Sequence, residues 1–66
     1  MKLRTTYDER ADAAYIYINE AAKVVKTVEV GEDIIIDLDS NKKIVGIELL
    51  NAKKRLRLPQ LSKEAN

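Results

Sequence analysis

Ile34-Ile35-Ile36-Asp37-Leu38-Asp39-Ser40-Asn41-Lys42-Lys43-Ile44-Val45-Gly46-Ile47-Glu48-Leu49-Leu50 decides the fold: two apolar stretches with alternating faces flank a polar turn. Strand side chains alternate between faces, so Ile34, Ile36 and Leu38 share one side, and Val45, Ile47 and Leu49 share another. An even loop, the four residues Ser40 to Lys43, brings both sets to the same side of a hairpin. A slip of one residue would set Gly46 and Glu48 against the isoleucines, which burial disfavours.

Upstream, Leu3 to Tyr7 is rich in β-branched and aromatic residues and runs into the acidic turn Asp8-Glu9-Arg10-Ala11-Asp12. Ala13 to Ile18 is apolar on both alternating faces, as in a strand covered on both sides or at an interface. Asn19 to Lys23 reads as a loop, because its good helix formers are too few to nucleate a helix. A further strand, Val24 to Val30, breaks at Gly31-Glu32-Asp33. Beyond the hairpin, Asn51 is placed to cap a short helix over Ala52 to Leu56, which Pro59 stops from extending far. The fold class expected is mainly β (α+β): a five-stranded antiparallel meander with a short C-terminal helix. Residues 1–66 form one domain, with 61–66 a frayed tail.

The chain has 66 residues, no cysteine and no histidine. Disulfides and the common zinc frameworks are therefore excluded, and a domain this small buries only about 60% of its unfolded surface. Stability must come from packing within the chain alone or from association with another chain, so self-association is an expectation. No stretch reaches the roughly 18 apolar residues of a membrane span, and the N-terminus lacks the apolar run of a secretory signal, so the expected location is cytoplasmic. The net charge of +1 is unevenly placed: residues 1–50 hold seven Lys/Arg against ten Asp/Glu, and residues 51–66 hold five against one.

The motif series Tyr7-Asp8-x-x-x-Asp12-x-x-Tyr15-Ile16, Gly31, Asp37-Leu38-Asp39, Ile44-Val45-Gly46-Ile47-Glu48-Leu49-Leu50 and Asn51-Ala52 resembles the family catalogued as domain of unknown function 2283. The resemblance covers roughly residues 3–56. It implies a compact antiparallel meander with a short C-terminal helix and no established activity, and it suggests kinship with suspected antitoxins of small toxin–antitoxin pairs. One residue departs from the family pattern Asp-x-x-Gly in the hairpin loop: Lys42 stands where that glycine would be. Glycine tolerates the left-handed backbone of such loops, so Asn41 is expected to take that conformation instead.

Four groups of residues are candidates for function. Asp37, Asp39 and Glu48 could converge on a hard cation, but carboxylates spread along a sheet fit a turn entry and a solvated face better. Asp8, Glu9 and Asp12 lack the full ligand series of a calcium loop, so Asp8 and Asp12 are read as caps for backbone groups. Lys53, Lys54, Arg55 and Arg57 form a basic patch that suits a solvated helix more than a phosphate site. Tyr15, Tyr17, Ile35, Ile44 and Leu50 lie opposite the Ile34/Ile36/Leu38 set and are the expected interface. With Ser40 in a turn and Ser62 in the tail, a nucleophile–base pair is missing, so neither an enzyme nor a cofactor is expected.

The function this reading favours is a protein-interaction module that forms a homodimer or higher homo-oligomer. Its rivals are an antitoxin-like partner of a small toxin protein and a weak nucleic-acid binder acting through the basic segment. A nucleic acid is the less favoured ligand, because basic residues do not interleave with the tyrosines.

Overall fold

The computed structural model describes residues 3–55, which form five strands and one helix. In chain order these are β1 (Arg4–Asp8), β2 (Ala13–Tyr17), β3 (Lys26–Val30), β4 (Ile34–Leu38), β5 (Ile44–Leu50) and α1 (Ala52–Arg55). All neighbouring strands are antiparallel, as the alternation predicts. The order across the sheet is β1-β2-β5-β4-β3. The run β3-β4-β5 is a meander and β1-β2 is a hairpin. They meet by β5 pairing with β2, so the chain departs from a simple meander at the single step from β2 to β3. That step places the most apolar strands, β2, β4 and β5, inside the sheet and leaves the more polar β1 and β3 at its edges, where charged side chains discourage further pairing.

The parity argument holds, by a different route. Ile36 pairs with Ile47 and Ile34 with Leu49, so these four face the same way, whereas Val45 falls in the register shift without a partner on β4 and Ile44 stands opposite Leu38. The turn, however, closes one residue earlier than an even loop would. The Asp39 N–H donates to the Lys43 carbonyl at 2.9 Å, and the Lys42 N–H donates to the Asp39 carbonyl at 3.0 Å, leaving Ser40, Asn41 and Lys42 as a three-residue loop. An odd loop alone would put the two sets on opposite faces. A register shift beside Asp37/Leu38 sets Leu38 opposite Ile44 and restores the pairing further along.

Such a loop is a tight turn followed by a left-handed residue. That residue is Lys42, with φ 64°, and not Asn41. The Asp39 carboxylate holds the turn by accepting the Asn41 and Lys43 N–H groups at 2.8 and 3.0 Å. Lys42→Gly should therefore raise stability by about 1 kcal/mol, since the left-handed conformation penalises a Cβ. A urea midpoint that falls or stays unchanged would contradict this.

One face of the sheet, called the apolar face below, carries Tyr7 and Thr5 on β1, Ala14 and Ile16 on β2, and Ile47 and Leu49 on β5. It continues through Ile34 and Ile36 on β4 to Val28 and Val30 on β3. Helix α1 lies against one end of it, where Ala52 and Ala14 are fully buried and Tyr7 and Leu49 pack around them. Away from that corner the face is only half-buried. Among the described residues no large side chain is fully buried. Arg57, Leu56, Leu58 and the tail 61–66 lie outside the described residues.

Candidate functional site

The opposite face is polar and is organised around Gly46. Two rows of paired residues cross it: Thr6, Tyr15, Glu48, Ile35 and Glu29, and beside them Arg4, Tyr17, Gly46, Asp37 and Thr27. The Tyr15 ring lies directly on Gly46. A Cβ there would be 2.5 Å from Cζ and 2.6 Å from Cε2 of the ring. Glycine in a strand often marks such an approach. The bare backbone lets the Tyr15 hydroxyl reach Asp37 and donate to Oδ2 at 2.6 Å, while the Thr27 hydroxyl donates to Oδ1 at 2.9 Å. Burial, and then the Asp37 carboxylate, push the Tyr15 phenol up to about 12. The group is thus a fixed neutral donor at neutral pH.

Tyr17 meets Tyr15 edge-to-face at 4.7 Å between centroids. The Arg4 guanidinium sits over the Tyr17 ring, 3.7 Å from its centroid, and donates to Glu20 through Nη2 at 2.8 Å and Nε at 3.2 Å. That pairing lowers the Glu20 carboxyl and raises the Arg4 guanidinium. Both side chains are half-exposed, so the pair adds little to stability.

Of the expected interface residues, Tyr15, Tyr17, Ile35 and Leu50 share this face. Ile44 does not: the register shift pairs it with Leu38, which belongs to the Ile34/Ile36 set, and it is 40% exposed. Asp37 and Glu48 also lie on this face, but the Asp39 carboxylate is occupied by the hairpin turn. No group of three acidic side chains suited to a metal occurs among the described residues.

The two expected acidic caps are used differently from each other. Asp8 Oδ1 accepts the Arg10 and Ala11 N–H groups within its own turn. Asp12 caps α1: its carbonyl accepts the Ala52 N–H at 2.9 Å, and its Oδ1 accepts the Lys53 N–H at 3.1 Å and the Tyr7 hydroxyl at 2.7 Å. The Asp12 hydrogen bond, followed by burial, pushes Tyr7 up to about 12. Asn51, the expected cap, contributes only its carbonyl, which accepts the Lys54 and Arg55 N–H groups. Its side chain is turned away to Asp33, with the amide donating to Oδ1 at 2.8 Å.

Asp33 lies in the Gly31-Glu32-Asp33 break, where the sequence pattern marks a turn and singles out no site. It is 9% exposed and also accepts from Arg55, at 2.8 Å from Nε and 2.7 Å from Nη2. Arg55 is therefore withdrawn from the basic patch, and Lys53 and Lys54 remain exposed there. A depression of about 180 Å³ beside this pair is lined by Val30, Gly31, Glu32 and Ile34. Its polar wall is already satisfied by the Asp33–Arg55 contact.

Arg55, with Asn51 behind it, holds the Asp33 carboxyl below the usual carboxylate range. A depressed folded pKa gives stability that is complete above the ordinary value near 4 and is lost as pH falls through the lowered one. Thermal melts should show this acid limb in the native chain, flattened in Asp33→Asn and weakened by salt because Arg55 is half-exposed. Equal slopes for the two proteins would remove Asp33 as its source.

The family profile described as "Protein of unknown function (DUF2283)" matches residues 4–53. An uncharacterised protein of Methanocaldococcus jannaschii is 46% identical over 54 residues, 82% of this chain. The chain spans 45% of that relative's length. No solved structure matches. No helix among the described residues is long and apolar enough to cross a membrane.

Proposed function

This chain belongs to the DUF2283 family of proteins of unknown function, and we propose that it is a self-associating interaction module whose apolar sheet face is covered by a second copy. The observation that carries this reading is the central row Ile16, Ile47, Ile36 and Val28, four paired aliphatic residues that cross four strands, all half-buried. A sheet is stable when its hydrophobic face is packed against another layer, and the four residues of α1 span only one end of this one. A second identical face supplies a covering layer, which the described residues do not provide, with matching chemistry, each Å² of apolar surface removed from water contributing about 25 cal/mol before association costs. Self-association on the apolar face moves the contact to the side opposite Tyr15 and Tyr17. The absence of histidine and cysteine from the chain favours an interaction role over catalysis.

Light scattering on the eluting protein at tens of micromolar should give about twice the 7.5 kDa chain mass, and the melting temperature should rise with protein concentration. Ile36→Lys should abolish both. Should that variant fail to fold, the native protein still decides: a 7.5 kDa species whose melting temperature ignores concentration overturns the reading.

A further inference from the structure

We propose that the polar face is a second docking surface, and that it takes a basic segment of a partner protein in which Lys or Arg residues are interspersed with apolar ones. This face holds most of the interface residues that the sequence singled out, and self-association through the opposite face leaves them open.

Two features define the occupant. The first is charge. Glu29, Asp37 and Glu48 stand on adjacent strands β3, β4 and β5, and none has an ion-pair partner among the described residues, where the ion pairs are Arg4–Glu20 and Arg55–Asp33. The hydroxyls of Tyr15 and Thr27 fix Asp37 in place without neutralising it. Phosphate-bearing ligands are repelled by such a surface and cationic ones are drawn to it, with the partner's charges meeting carboxylates held by a rigid sheet. Glu29 and Glu48 flank Ile35 in one row, about 10 Å apart at two strand spacings. An apolar side chain set between two cations matches that row.

The second feature is the chain's own Arg4. Stacked on Tyr17 and clasped by Glu20, it shows on this same face how a cation is received, with an aromatic ring beneath it and a carboxylate beside it. Tyr15, one side of its ring on Gly46 and its hydroxyl on Asp37, stands next to Glu48 as a second ring among carboxylates, and the cation found over a ring among the described residues is Arg4 on Tyr17. The apolar component of the surface is Ile35, Leu50 and the two rings, all half-buried.

The test is an NMR titration of the isotope-labelled full chain with a decapeptide of alternating lysine and valine, alongside its counterpart with glutamate in place of lysine. Saturable shifts confined to Tyr15, Tyr17, Ile35, Asp37 and Glu48 are expected with the lysine peptide, weaker at physiological salt than at low salt, with no response to the glutamate peptide. Glu29→Lys/Glu48→Lys should weaken binding about tenfold or more, as reversal of exposed interface charges does. The absence of shifts, shifts on Ile36 and Ile47 instead, or unchanged affinity in the double variant would overturn the proposal. If the double variant does not fold, the location of the shifts in the native chain decides. Light scattering on the same samples keeps this outcome separate from self-association.

Discussion

Gly46→Ala is expected to cost the fold about 2 kcal/mol, the range of overpacking a closely packed site. On propensity alone the change should be harmless, since alanine suits a strand at least as well as glycine. The cost arises because the new methyl occupies space already filled by the Tyr15 ring, 2.5 Å from Cζ. The ring cannot swing aside freely: Asp37 accepts its hydroxyl at 2.6 Å, and Tyr17 meets its edge. Either strain is kept or a hydrogen bond to a charged acceptor is lost, itself worth roughly 1.5–3 kcal/mol. In a Tyr15→Ala background the same substitution should cost almost nothing. Urea denaturation of the four proteins of that cycle yields the coupling directly, and additive effects would show that the ring and the glycine do not interact.

Asp12→Ala should be comparably damaging, at about 2 kcal/mol, from two separable sources. Removal of the carboxylate strips the cap from the Lys53 N–H and the acceptor from Tyr7, a loss of about 1 kcal/mol for the cap. A Cβ-bearing residue without a polar side chain must also hold φ 52°, at roughly another 1 kcal/mol. Asp12→Asn keeps both the oxygen and the tolerance of left-handed backbone, so it should retain most of the stability. Asp12→Gly relieves the backbone and loses the cap, and should fall between. Equal stabilities for the alanine and asparagine variants would show that the cap contributes nothing.

These two residues also mark what sequence could and could not reveal. Strand composition and hydrophobic alternation are local signals, and together they located all five strands and the face shared by Ile36 and Ile47. The step from β2 to β3 was not legible, because β5 displaces β3 from beside β2 through pairing between residues some thirty positions apart. The hairpin loop differs by one residue from the expected one since a bulge can restore parity at no visible cost in the sequence; the family pattern does place a glycine at the Lys42 position, but lysine's low tolerance of left-handed backbone directed the expectation to Asn41 instead. The helix cap eluded sequence reading because Asn51 has the right chemistry and position, whereas Asp12 arrives from 41 residues away. Asp33 carried one usable sign: an acidic residue in a three-residue turn that the chain later answers with Asn51 and Arg55.

The same distinction applies to function. The patterns that build the sheet leave one of its faces apolar and the other acidic and aromatic, and each face is a statement about what it contacts. The apolar face bears most directly on function, because among the described residues only α1 lies across it, at one end.

An isotope-filtered NOE experiment on an equal mixture of labelled and unlabelled chains tests that claim. The account requires intermolecular NOEs to the methyl groups of Ile16, Ile36 and Ile47 from the corresponding side chains of the other copy. Methyl groups that report only contacts within their own chain, residues 56–66 included, would contradict it.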